Sequence, residues 1–242
     1  MMEKLAPYRV FTSSSLKLIA VITMLIDHFG ATVMSQAILK LPAVKADADL
    51  YHNMLILYRL IRYIGRVAFP IYCFLLVEGF IHTHSKMKHL LRLGIFVLIS
   101  EIPFDYAIYN HWFYPDKQNV FFTLFFGMLV MVLVDRFRND WLQFLIMAVG
   151  VYLGWLFKTD YGARGVFLIC TLFLVRYARP IQCLAGALIM QYELTAPLAF
   201  VPILLYNGEK GNLKMKYFFY WFYPVHLLLL GLARDIVLFY FG

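Results

Sequence analysis

Apolar stretches follow one another along this chain with only short polar intervals between them, and most run too long to be strands. Read by run length, they predict helical segments at about 17–37, 65–82, 90–109, 120–135, 141–157, 163–177, 181–193, 196–206 and 217–240. A full membrane crossing needs about 20 residues, so 181–206 reads as two short tilted helices or one broken pair. The count is therefore about nine spans, within a range of about eight to ten. In the longest polar interval, 38–58, Leu50, Met54, Leu57 and Ile61 recur at helical spacing, which predicts a short interfacial helix over Asp49–Tyr63 beyond Pro42. The expected fold class is all-α, a polytopic transmembrane helix bundle forming a single integral membrane domain over residues 1–242.

Composition agrees with that pattern. At 62% hydrophobic and 15% charged residues, a soluble domain of 242 residues could not hide its apolar surface. The net charge of +8 comes from short basic clusters between apolar runs, which fits membrane orientation and argues against a nucleic-acid partner. Placing the N-terminus in the cytoplasm puts Lys4, Arg9, Lys86, Lys88, Arg92, Arg136, Arg138, Arg176, Arg179, Lys210, Lys214 and Lys216 inside. Lys40, Lys45, Lys117, Lys158, Arg164, Arg59, Arg62 and Arg66 then fall outside, a ratio that favours N-inside. The first apolar run is too long for a signal peptide and carries Asp27 and His28 within it. Cys73, Cys170 and Cys183 sit singly in apolar runs and read as packed thiols.

A charge at bilayer depth costs on the order of 3 kcal/mol, so each one needs a partner or a polar cavity. Lys17 and His28 are eleven residues apart, which is about 1100° of helical rotation and about 16 Å of rise, so they share one face. A neutral imidazole at His28 can act as a general base if a neighbouring group fixes its tautomer. Asp27 points elsewhere on the same helix and can pair with Thr23 or with a neighbouring helix. Carboxylates that could orient His28 are Glu78, Glu101 and Asp105, the last two on one face around Pro103. Each can equally be a helix-pinning or interfacial contact.

The segment HSKMKHLLR gathers Lys86, Lys88 and Arg92 at a helix end, where phosphates of a nucleotide-containing donor could bind; a short inside loop is also basic for topology alone. His82 and His84 have no acidic or Cys partners nearby, so no metal site is expected. Arg59, Arg62 and Arg66 form a cationic stripe that can grip an anion or neutralise a carboxylate. His226 follows Pro224, which opens the last helix. Asp160 and Tyr161 lie in the glycine-rich turn KTDYGARG.

The segments LKLIAVITMLIDHFGA, GRVAFPIYCFLLVEGFIHT, LLRLGIFVLISEIPFDYAIY, QNVFFTLFFGM, TDYGARGV and FYWFYPVHLLLL, in that order, resemble the TraX family of bacterial membrane proteins. That resemblance implies a multi-pass protein of the bacterial cytoplasmic membrane, a link to conjugation and pilin N-terminal acetylation, and acetyl-CoA as acyl donor. Within the wider acyltransferase superfamily a basic residue precedes a His in the first helix at the spacing of Lys17 and His28, with Lys here where relatives have Arg. FPIYCFLLVEGF is similar to an aromatic segment of those relatives ending in Ser-Gly, with Glu78 in place of Ser. Lys86–Arg92 resembles their acyl-CoA-binding segment at a different spacing.

The resemblance implies that His28 is the catalytic base or a transient acyl carrier, and Asp27, Glu101 and Asp105, singled out above from the residues, complete the expected catalytic set. It implies donor binding by Lys17, Lys86, Lys88 and Arg92, while Arg62, Arg66, Glu78 and His226 are the candidates for substrate or oxyanion contacts. Membrane lipid and an envelope acceptor, a pilin amine or a surface glycan, are the remaining partners. Two other readings stay open at this level. Asp27, His28, Glu101 and Asp105 could line a proton or ion path in a transporter, or the intramembrane charges could pair with another protein in a secretion apparatus.

Overall fold

The computed structural model describes residues 9–212 and 217–242, and among them the chain is helical, with isolated bridges at Phe11–Tyr206 and Gln118–Thr159 and no strand. Lys4, Lys214 and Lys216, counted toward the inner side above, lie outside the described residues. Helix α1 (Ser13–Phe29) begins at a capping box in which Thr12 accepts from the Ser15 amide while the Thr12 amide donates to the Ser15 hydroxyl at 2.8 Å. It continues through a π-helical turn, Gly30–Met34, to a 3₁₀ turn at Ile38–Lys40.

Pro42 opens the short helix α2 (Pro42–Ala46), and Asp47 caps α3 (Ala48–Gly65) by accepting from the amides of Asp49 and Leu50. After a break at Arg66 and Val67 the chain enters α4 (Ala68–His82), so that α3 and α4 together make a 35-residue apolar stretch, Ala48–His82, packed against α1. Helix α5 (Lys86–Phe104) runs over Pro103 into a second π-helical turn, Asp105–Tyr109, which closes at Asn110 in the left-handed region. Asn119 and Asn139 cap α6 (Val120–Arg136) and α7 (Asp140–Leu156). Helices α8 (Gly162–Leu174), α9 (Arg179–Ile189) and α10 (Phe200–Leu204) follow, with a 3₁₀ turn at Ala196–Ala199 before α10, and α11 (Phe218–Phe241) completes the chain.

The core lies between α4, α6 and α8, where Ile71, Phe74, Met128, Met131, Ile169 and Leu172 are fully buried. Large apolar side chains are instead exposed along α5 (Ile95, Leu98, Ile102), α7 (Trp141, Phe144, Leu145) and α11 (Leu229, Ile236, Phe239). An apolar solvent explains that distribution, because such surface would be costly in water. In α7 the buried positions are Gly150 and Gly154, where a Cβ would overlap Val130 on α6 and Val166 on α8. Small residues at that seam let three helices close without a hydrophobic driving force.

Every predicted apolar run forms helix, but the expectation of nine spans is not met by length. Among the described residues three stretches are long and apolar enough to cross a membrane: Ser13–Lys40, Ala48–His82 and Phe218–Phe241. Apolar helices α7 and α8 are shorter, at 17 and 13 residues, and α9 and α10 have only 11 and 5. The expected interfacial helix Asp49–Tyr63 is the larger part of α3, which leads directly into α4.

Helices α1 and α11 lie side by side and parallel. Lys17 sits over the Phe219 ring, His28 meets His226, and Gln36 bonds Arg234, so residue numbers rise together along both. Helix α3 packs tightly on α1 at Gly65, where a Cβ would overlap the Asp27 side chain. Gly65→Ala should therefore lower thermal stability in detergent by about 1–3 kcal/mol, read as a fall in melting temperature. An unchanged melt would mean that the two helices are not in contact there.

Candidate functional site

Two adjacent residues of α1 face two different helices. The Asp27 carboxylate meets Arg62 of α3, whose Nη1 donates to Asp27 Oδ2 at 2.7 Å and to the Asp27 carbonyl at 3.1 Å. Thr23, the local partner considered for Asp27, instead donates to the Ile19 carbonyl at 2.8 Å within its own helix. One helical step on, the His28 ring stacks on His226 of α11, with centroids 4.9 Å apart and Nδ1 of His28 2.6 Å from Nε2 of His226.

The proton positions in this pair follow from its far end. Nδ1 of His226 lies 2.5 Å from the Phe222 carbonyl, which can only accept, so Nδ1 carries the hydrogen. Neutral His226 then presents Nε2 as an acceptor, and Nδ1 of His28 must donate to it. The lone pair of His28 is thereby placed on Nε2, on a half-buried ring. A neutral base with a fixed tautomer is the result, and its orienting group is a second imidazole rather than any of the carboxylates expected from sequence.

Around this pair the breaks between helices converge. Arg66, at the α3–α4 break, bonds Glu193 at 3.3 Å and Tyr161, which stacks on Phe69 with centroids 3.4 Å apart. Asp160 lies in the turn before α8, within electrostatic reach of Lys117, Asp27, Arg66 and Arg62. Burial raises the Asp160 carboxyl above its ordinary value, with Lys117 opposing the rise. Tyr223 of α11 stands edge-on to His28, with centroids 5.7 Å apart.

The other residues singled out from sequence divide between this site and structural roles. Arg62, Arg66 and His226 join His28 and Asp27. Glu101 instead accepts from the Asn119 side chain, fixing the cap of α6 to α5, while Asp105 accepts the Tyr114 amide at 2.7 Å. Glu78 is paired with Arg179 of α9 at 3.1 Å. None of these three carboxylates contacts His28.

Of the expected donor-binding cations, Lys86 is tied to Asp135 at 2.6 Å and Lys88 is exposed. Lys17, with Lys210 in electrostatic reach, and Arg92, near Tyr220, gather at the first turns of α11. Arg59 is exposed on α3. Glu193 and Tyr223 do not stand out from sequence. The only local signal for Glu193 is a polar break, QYELTAP, between two short apolar runs, and nothing in FYWFYPVH distinguishes Tyr223 from its aromatic neighbours.

The family model described as TraX protein matches residues 12–234. Among curated proteins, the probable fimbrial assembly protein FimC, serogroup H1, of Dichelobacter nodosus is 28% identical over 257 aligned positions, covering 93% of this chain and 96% of that protein. No solved structure matches.

The Asp27–Arg62 pair generates a direct expectation. Replacing Arg62 by Met leaves a largely buried carboxylate without its cation and should cost about 3 kcal/mol of stability. The double variant Asp27→Asn, Arg62→Met should recover much of that loss. Equal stability of Arg62→Met and wild type in a thermal melt would show that the pair does not form.

Proposed function

The chain belongs to the TraX family, and on that premise we propose that it is an integral-membrane acyltransferase that moves an acetyl group from acetyl-CoA to an envelope acceptor. The observation that carries this reading is the hydrogen-bonded run from the Phe222 carbonyl through His226 to His28, which leaves Nε2 of His28 as a base. His28 Nε2 takes the proton of the acceptor amine or hydroxyl as the acceptor attacks the thioester carbonyl. His226 stabilises the imidazolium so formed, because its Nε2 holds the His28 Nδ1 hydrogen while the charge develops. The proton then passes to the departing thiolate, which regenerates the neutral pair.

The donor's phosphates suit the cations at the start of α11. Lys17, Arg92 and Lys210 collect there, and the excess of basic residues at that end of the helix pair supports a cytoplasmic position for it. Lys17 and His28 both face α11, so one surface leads from these cations to the base. The relative from Dichelobacter nodosus, a probable fimbrial assembly protein, favours a surface fibre subunit as the acceptor. Its reactive group is an amine or hydroxyl on either the pilin or the glycan alternative.

A proton path is the weaker reading, because its residues do not connect. Asp27 turns to Arg62, Glu101 to Asn119 and Asp105 to the Tyr114 amide, and none passes a proton to His28.

The test is labelled-acetyl transfer by the full chain in lipid, with envelope extract as the source of acceptor. His28→Ala should abolish transfer while the protein still folds, and His226→Ala should lower it about 10²–10⁴-fold, the range for a general base that has lost its function. A folded His28→Ala variant that transfers acetyl at the wild-type rate would refute the proposal.

A further inference from the structure

Acyl transfer develops negative charge on the carbonyl oxygen, and the arginines nearest His28 are already engaged. Arg62 binds Asp27 and Arg66 binds Glu193 and Tyr161. Of the buried donors without an acceptor, Tyr223 is the one whose ring stands against His28. The residue is only 3% exposed, yet its hydroxyl finds no acceptor for its hydrogen among the described residues. The ring lies edge-on between His28, at 5.7 Å, and Phe121 of α6, at 5.2 Å.

The amide of Val120, the first residue of α6, is directed to the same phenol oxygen. As a first-turn amide it has no carbonyl one turn back within the helix to bond. Asn119 caps the helix by accepting from Phe121 at 3.0 Å, which leaves the Val120 N–H turned to the phenol. A buried hydroxyl and a helix-terminal amide thus converge beside the base. Two carboxylates also lie within electrostatic reach of the phenol: Asp160, which faces Lys117, Arg66 and Arg62, and Glu101, which is taken up by Asn119.

We propose that Tyr223 O–H and Val120 N–H form the oxyanion hole of this site and receive the carbonyl oxygen of the acyl group being transferred. The inference rests on the acyltransferase reading above and adds a catalytic residue to it. As the acceptor's lone pair forms a bond to the carbonyl carbon, the C=O π pair moves onto oxygen, where the two donors hold it, and the acceptor's proton goes to His28 Nε2. When that pair returns, the C–S bond breaks and the thiolate leaves with the proton from His28. Donors fixed in a site closed to water cost no reorganisation at the moment of reaction, which is why removing one typically lowers the rate by about 10²–10³-fold.

A buried hydroxyl whose own hydrogen finds no acceptor among the described residues also makes a second expectation. Its removal should not destabilise the fold, since burying an unsatisfied polar group is unfavourable.

The experiment compares wild type with Tyr223→Phe, each as the full chain in lipid vesicles, measuring labelled-acetyl transfer from acetyl-CoA with envelope extract as acceptor source, together with the thermal melt. The expected result is a kcat lowered about 100- to 1000-fold, an unchanged KM for acetyl-CoA, and a melting temperature equal to or above wild type. Incorporation of 3-fluorotyrosine at position 223, which keeps a stronger O–H donor, should preserve the rate. An active wild type with Tyr223→Phe at full kcat overturns the oxyanion role and leaves the acyltransferase reading intact. A lowered melting temperature makes the hydroxyl structural and also overturns it. A wild type that consumes no acetyl-CoA removes both readings together.

Discussion

The need to neutralise a carboxylate at depth governs how this molecule is assembled. Asp27 cannot remain charged among apolar helices without a cation, and Arg62 supplies it from α3 with hydrogen bonds to both the side chain and the backbone of Asp27. That contact requires close approach, which Gly65 and Gly30 permit because a side chain at either would overlap the partner helix. With Asp27 committed to α3, the next residue around the helix, His28, faces α11 instead. One ion pair therefore sets the rotation of α1, and with it the direction of the base.

A second polar lock holds α11 where His28 can meet it. The π-helical turns after α1 and α5 displace carbonyls from ordinary helical bonding. Gln36 donates to the carbonyls of Ala107 and Ile108, and the fully buried Arg234 donates to those of Tyr106 and Ala107 and to the Gln36 side chain. Asp235 completes the set through Arg234 and Tyr106. Three elements are joined through satisfied backbone groups, as an apolar solvent demands. Toward the other end of the chain's long helices, Glu78 and Arg179 tie α4 to α9, with the guanidinium over the Phe74 ring.

Parts of this arrangement are legible in the order of residues alone. The shared face of Lys17 and His28 follows from eleven residues of helical rotation, and both do contact α11. His226 is recognisable as a polar residue beside Pro224 in an otherwise apolar run, and Arg62 as a cation available to a carboxylate. Glu78, Glu101 and Asp105 look equally suited to orient the base, because a one-dimensional reading gives residue type without direction. Each is claimed by a closer partner, Arg179, Asn119 and Tyr114 respectively.

The sequence by itself determined the helical class, the apolar environment and the few polar residues that such an environment obliges to find partners, because run length, hydrophobicity and helical spacing are local properties. It also carried the family, whose profile spans residues 12–234. Pairing was decided only in three dimensions. That His28 meets an imidazole and Asp27 a guanidinium, that Arg66 reaches Glu193, and that Tyr223 keeps an unspent hydroxyl beside the start of α6 all depend on helices far apart in the chain. So does the way helices and turns join into continuous lengths: among the described residues Ser13–Lys40, Ala48–His82 and Phe218–Phe241 are the stretches long and apolar enough to cross a membrane, and the first two are continuous only because helix runs on through a turn.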